Sequence, residues 1–204
     1  MFFSFDGVDG VGKSTQIRLL AEALRERGRE VVTCRDPGGT ALGERLREIL
    51  LNHHATRIHR RSEMLLFMAS RAQLVEEVIR PALAAGQIVI SDRYLLATVV
   101  YQAHAGGLAP DDVWRVGEVT VGGIMPRLTF LLDMPAARAA SRQQRAPDRM
   151  EAQGLEYLER VRQGFLTEAG RFPHHVVVID ADRPVAAVHE DVLRQAVSVL
   201  TPDS

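Results

Sequence analysis

Sulfur cross-links are unavailable to this sequence: its 204 residues include one cysteine, Cys34. A disulfide framework within the chain is excluded, and the expected compartment is the reducing cytoplasm. Cys34 ends an apolar run and reads as a buried thiol that behaves as a small hydrophobe. Strong charge of one sign is missing too. The formal net charge is −1, so no overall field draws the molecule to nucleic acid or to an anionic membrane, and neither is expected as a partner. Any anion must be held by a local arrangement. No apolar run approaches the roughly 20 residues that span a bilayer. The opening MFFSF is too short for a signal peptide, lacks a basic flank and meets Asp6 at once. The seven histidines show no metal-ligand spacing; His53-His54 and His174-His175 are adjacent pairs that do not readily face one zinc ion. No Ser/His/Asp triad can be argued from spacing, and the lone Trp114 reads as core or subunit interface.

What is present is the composition of an ordinary globular chain, 46% hydrophobic and 25% charged, long enough to bury a continuous core. Five apolar runs stand out: FFSF (2–5), VVTC (31–34), IVIS (88–91), LTFLL (128–132) and VVVI (176–179). Rich in β-branched and aromatic residues with little polar alternation, they predict strands covered on both faces of a parallel sheet. Helical spacing lies between them. Leu42, Leu46, Ile49 and Leu50 share one helix face; Leu65, Ala69, Ala72 and Val75 share another, within a helix predicted from about Arg61 to Ala85. This alternation predicts βαβ units with right-handed crossovers and one α/β domain over residues 1–204. Asp92 and Asp133 fall at strand ends, where open α/β sheets place their ligand crevice. Ser141 to Glu151, SRQQRAPDRME, is locally basic, interrupted by Pro147, and reads as an excursion from that domain.

The stretch DGVDGVGKST, residues 6–15, satisfies G-x-x-x-x-G-K-[ST] between the first apolar run and the helical QIRLLAEALRE. Glycines let the backbone turn its N–H groups inward and approach phosphate oxygens closely. The helix that follows points its positive end at the same anion. Gly7, Val8, Asp9, Gly10, Val11, Gly12, Lys13, Ser14 and Thr15 are therefore the candidate ATP-binding segment. Lys13 can bridge β- and γ-phosphates, and the Ser14 hydroxyl can ligate Mg²⁺. Asp9 is unexpected beside phosphates unless it holds a cation or a sugar hydroxyl. No Asn-Lys-x-Asp base-reading motif of a GTPase switch occurs.

Further motifs follow in order: RDPGGT (35–40), FMASRAQ (67–73), SDRY (91–94) with Tyr101-Gln102, DRME (148–151) and the helical YLERVRQGFLTEA (157–169). With the cradle they resemble thymidylate kinase, a family of P-loop nucleoside monophosphate kinases. The resemblance implies a three-layer P-loop NTPase-type α/β/α fold with a five-stranded parallel sheet and a short lid at about 141–151. It implies transfer of the γ-phosphoryl of ATP to dTMP, with Mg²⁺, in a homodimer. Residue by residue, it implies Phe67 and Arg71, four apart on one helix face, against the thymine, Arg93 and Arg35 on the acceptor phosphate, and Tyr101 against the deoxyribose. Thr98, Gln102 and Asp92 complete the acceptor side, and Asp92 also joins Asp9 and Ser14 near the metal. Lys13, Asp9 and Arg93 would carry catalysis with lid arginines Arg142, Arg145 and Arg149, because the cradle, with Val11 between its last glycines, has no arginine of its own. Asp148 and Glu151 would orient the lid arginines or contact the acceptor site. Asp36 stands where glutamate is commoner.

The resemblance thins after SDRY, where the chain reads LLATVVYQAHAGGL. Ala97, Val100, Ala103 and Gly106 replace serine, alanine, glycine and arginine, and Thr98 and Val99 take positions where polar residues meet the base. A lost donor at a buried base edge costs about 1–3 kcal/mol if it leaves a partner unpaired. The departures bear on base selectivity rather than on phosphoryl transfer. They keep open a P-loop kinase of another pyrimidine monophosphate and, from a different class, a non-catalytic nucleotide-binding homologue.

Overall fold

The computed structural model describes residues 1–52, 57–142, 149 and 153–200. Five parallel strands, β1 (Phe2–Asp6), β2 (Val31–Arg35), β3 (Ile88–Asp92), β4 (Leu128–Asp133) and β5 (Val176–Asp180), form one sheet in the order β2-β3-β1-β4-β5. Each run read from the sequence is a strand, one residue longer at its carboxyl end. The central strand β1 is buried at every position, whereas the edge strands β2 and β5 are half-open. Phe5 lies opposite Asp92 and Arg35 opposite Asp92, so the ends of β1, β2 and β3 arrive together.

Helices cover both faces. After β1 comes α1 (Lys13–Glu26), which buries Ile17, Leu20, Ala21 and Leu24. Phe3 and Phe5 stack on Phe130 of β4 in the same core, with centroids 5.7 and 4.9 Å apart. α2 (Ala41–Leu51) is capped by Thr40, whose hydroxyl accepts from the Gly43 N–H at 2.9 Å. The helix predicted over 61–85 is α3 (Arg60–Leu74), a π turn (Val75–Ile79) and α4 (Arg80–Ala84). Pro81 has no N–H to continue an α ladder, and the widened turn lies just before it, with the Arg80 N–H reaching back to the Val75 carbonyl.

β3 leads into α5 (Leu95–Thr98), a second π turn (Val99–His104) and α6 (Pro110–Val121). α7 (Ala136–Ser141), α8 (Leu155–Arg171) and α9 (Val185–Ser198) follow. On this face Phe2 meets Tyr94 edge-on at 5.0 Å, within a cluster that includes Met64, Met68, Leu74, Val89 and Val113.

The apolar stripes expected on α2 and α3 do not face the core. Leu42 and Ile49 are 45% and 43% exposed, Leu65 is 54% exposed and Ala69 is open; of these two stripes only Leu50 and Val75 are buried. α3 instead buries Met64, Phe67, Met68 and Leu74. The helix carries two apolar faces, and spacing alone did not say which one the sheet covers. Cys34 is half-buried, and burial pushes its thiol up to about 11. No helix among the described residues is long and apolar enough to cross a membrane.

Candidate active site

The loop between β1 and α1 is a cradle of left-handed glycines. Gly7 and Gly10 have φ of 130° and 90°, and a Cβ on either would lie 2.4 Å from the Leu132 carbonyl oxygen or 2.1 Å from that of Ala139. Only glycine fits at these two places. Val8 and Val11 are buried, so they can serve a ligand only through their backbone. Gly12 precedes α1 without a side-chain cap, and no acidic residue occupies the first turn. That leaves the start of the helix without a capping side chain or a first-turn carboxylate of its own, the arrangement suited to a phosphate. Ser14 and Thr15 lie exposed at this mouth.

Lys13 is 6% exposed, and its Nζ donates to the carbonyls of Gly7 and Val8 at 3.1 and 3.0 Å and to Asp9 Oδ1 at 3.1 Å. Arg93, just past β3, reaches the same loop. Its guanidinium donates to the Gly7 carbonyl at 3.0 Å, to Asp9 Oδ1 at 2.9 Å and to the Tyr101 hydroxyl at 3.2 Å. It also lies over the Tyr101 ring at 5.0 Å. Burial opposes its charge; Asp9, with Tyr101, Asp92 and Asp6, more than offsets this and holds its pKa well above the usual arginine value. Arg93 keeps φ at 65°, a left-handed conformation that a non-glycine side chain adopts at a cost, here held by the Ser91 hydroxyl donating to the Arg93 carbonyl at 2.7 Å.

Beside the cradle is a cavity of about 310 Å³. Every residue assigned above to the acceptor, Arg35, Phe67, Arg71, Asp92, Arg93, Thr98, Tyr101 and Gln102, lines it, together with Asp9 and Ser14. The second π turn turns Tyr101 and Gln102 to this cavity while Thr98 enters from the end of α5. Of the departing positions, Ala97 and Thr98 line it; Val99 and Val100 are fully buried in the core.

Arg71 is 1% exposed and heavily engaged. Nε donates to Asp36 Oδ2 at 2.5 Å, and Nη2 donates to Thr98 Oγ1 at 2.7 Å and to the Tyr94 carbonyl at 3.2 Å. Among the described residues Nη1 meets only the weak acceptor Met68 Sδ, at 3.2 Å. Asp36 thus fixes Arg71 in place, while burial raises the Asp36 carboxyl pKa against the pull of Arg71. Arg35 pairs with Glu44 at 2.7 Å, and Arg47 lines the cavity while donating to the Pro37 carbonyl at 2.8 Å. Asp36, as a brace for Arg71, and Arg47 were missed as site residues; the pair partner of Asp36 is distant in sequence, and Arg47 sits in a helix with no motif around it.

Asp6 and Asp92 stand at the strand ends with buried oxygens that meet no hydrogen-bond partner among the described residues: both of Asp6 and Oδ1 of Asp92. Burial pushes the Asp6 carboxyl up to about 7, against the pull of Arg93 and Lys13. Among the described residues no cluster of His, Cys, Asp and Glu could hold a metal by itself.

The lid arginines divide. Arg145, with Asp148 and Glu151, lies outside the described residues. Arg142 donates to the Ala181 carbonyl at 3.3 Å and to Asp182 Oδ1 at 3.2 Å, beside Arg138 on the same carboxylate at 3.0 Å. Arg149 donates to the Leu50 carbonyl at 2.8 Å and pairs with Glu63, which is fully buried and also accepts from Gln102 at 3.0 Å. Arg149 is therefore placed against α2 and α3 rather than on the cradle. Arg162 grips Asp133 through both oxygens, at 2.8 and 2.9 Å, so that strand-end carboxylate is committed to structure.

A family model described as thymidylate kinase matches residues 5–192. Thymidylate kinase of Rhodopirellula baltica is 47% identical over 93% of this chain and 77% of its own length. That of Kosmotoga olearia is 44% identical, over 96% and 94%. The crystal structure of thymidylate kinase from Ehrlichia chaffeensis superposes with a TM-score of 0.77, at 32% identity, over 98% of each chain.

Proposed function

The chain belongs to the thymidylate kinase family, and from that premise we propose how its own residues move the γ-phosphoryl of ATP to dTMP, giving ADP and dTDP. The observation that carries the proposal is the junction of cradle and cavity: Arg93 and Lys13 converge on Asp9 Oδ1 at 2.9 and 3.1 Å, one from each side. The cradle N–H groups and Lys13 hold the donor phosphates. Arg93, with Arg35 and Arg47 nearby, holds the acceptor phosphate. Phe67 lies flat against the base, Arg71 offers its under-used Nη1, and Tyr101 crowds the sugar so that a ribose 2′-hydroxyl is disfavoured. An oxygen of the acceptor phosphate attacks the γ-phosphorus as the bond to the β-bridging oxygen breaks. No general base is needed, because a phosphate monoester is already largely dianionic at neutral pH (second pKa ~6). Catalysis is positioning and charge compensation, with Arg142 and Arg145 brought in by the lid, Arg142 exchanging the Ala181 carbonyl and Asp182 for phosphate.

The residues present fit Mg²⁺. Oδ1 of Asp92 is buried with no hydrogen-bond partner among the described residues and Ser14 is exposed at the cradle mouth, so Ser14 and Asp92 would hold the ion. When bound, Mg²⁺ neutralises charge on the β- and γ-phosphates. Asp9, already shared by Lys13 and Arg93, is better suited to orienting these two cations than to binding metal.

We further propose a homodimer formed through α2, α3 and α6. These helices pack side by side and leave Leu42, Ile49, Leu65 and Val119 exposed, an apolar patch of the kind an isologous interface covers. The test of function is ADP formation from MgATP with each nucleoside monophosphate in turn. Fastest turnover with dTMP is expected; preference for another pyrimidine would move the specificity, and ATP binding with no turnover on any acceptor would overturn the kinase reading.

A further inference from the structure

A second and larger cavity, about 1070 Å³, opens at the amino ends of the strands, the opposite end of the sheet from the cradle. Its volume is in the range that takes a small organic ligand. Trp114 and Phe172 wall it and meet edge to face at 5.1 Å. In its floor Ser4 Oγ and Thr129 Oγ1 lie 2.8 Å apart. One hydroxyl proton is used between them, and no further acceptor for the other occurs among the described residues. The cavity is also lined by Asp111, which Arg171 holds at 3.0 Å, by Glu118 and by the cations Arg115 and Arg127; Arg127 is exposed and its guanidinium meets no carboxylate among the described residues. The walls favour a planar apolar body, the floor an acceptor atom and Arg127 an anionic group.

The two cavities share a wall. Tyr94, Leu95 and Leu96 line the rear one, while Arg93, Ala97 and Thr98, on the same short segment, line the acceptor cavity. The Tyr94 carbonyl also accepts from Arg71. A displacement of Tyr94–Leu96 would be passed along the backbone to Arg93 and Thr98. We propose that the rear cavity is a second ligand site, for an amphipathic aromatic anion, whose occupancy alters acceptor affinity through residues 93–98. The coupling rests on the acceptor reading given above; occupancy of the cavity does not.

The probe is 8-anilinonaphthalene-1-sulfonate, an apolar ring system with one anionic group, added to the full chain. Trp114 is the only tryptophan and lines the cavity, so energy transfer from it to the dye reports binding there. Saturable binding with transfer from Trp114 is expected, weakened at least about fivefold by Arg127→Ala and blocked by Leu83→Phe, which fills the wall. With dye bound, KM for dTMP should change severalfold while KM for ATP holds. By reciprocity dTMP should shift dye affinity to a limit. Dye displacement by dTMP or ATP that grows without limit would place it at the nucleotide site and overturn the proposal. So would binding indifferent to both substitutions, absence of saturable binding, or an unchanged KM for dTMP in the presence of bound dye. If dTMP proves not to be the acceptor, the dye titration still stands or falls alone.

Discussion

Lys13 has three oxygens around its ammonium, from Gly7, Val8 and Asp9, and on the proposed reading a donor phosphate competes with them. Lys13→Ala should leave the circular dichroism spectrum intact and lower kcat by at least about 10²–10³; normal turnover would refute the donor assignment. Asp36 makes a subtler prediction. It touches the cavity but works by holding Arg71, so Asp36→Ala should raise KM for dTMP about 10–100-fold, as for loss of a buried charge-assisted bond of about 1.5–3 kcal/mol, with KM for ATP unchanged. Asp6 carries a pH signature. Its folded pKa, about 7, lies above that of the unfolded chain near 3.8. Its contribution to stability is therefore fully present below pH ~4 and is lost as pH rises through ~7. Asp6→Asn, which cannot ionise, should gain stability on the parent across that window by up to about 4 kcal/mol, read by urea unfolding at pH 4 and pH 8.

At the scale of elements, one buried carboxylate ties Arg149 to two other segments. Glu63 is on α3, Arg149 lies within the 141–151 excursion, and Gln102 comes from the second π turn. Glu63→Ala would leave Arg149 partly buried without its anion, and such losses cost about 3–5 kcal/mol; urea denaturation should show it. The strands were legible because a central parallel strand is apolar throughout, a local property, and the cradle was legible because its chemistry is contiguous. Neither π turn was, since each differs from an α turn by one bond's reach. The Asp36–Arg71 and Arg149–Glu63 pairs were not legible either: these charges meet only after the sheet has brought distant segments together, and nothing in neighbouring residues marks them. Phe67 could be read both ways and is both, buried on α3 and facing the cavity.

For the whole molecule, the alternation of runs was enough to foresee a five-stranded parallel sheet with its crevice at the carboxyl ends. The direction faced by the apolar stripes of α2 and α3 was not, because a stripe for a core and a stripe for a partner have the same period. If that stripe is the subunit interface, Leu65→Glu with Val119→Glu should convert a species of twice 22.6 kDa to one of 22.6 kDa in sedimentation velocity. A parent chain already at the smaller mass would reject the dimer.

Asp9 has a consequence in time. With Lys13 on one side and Arg93 on the other, this carboxylate lies between the two cations to which the proposed function assigns the donor and acceptor phosphates. On that assignment a departing nucleotide would not have to leave two bare charges facing water, because a tethered anion is at hand to take them back. Asp9 would in that sense be an internal competitor for product. It would weaken each nucleotide's hold and shorten its dwell, leaving the two cations paired for the next substrates.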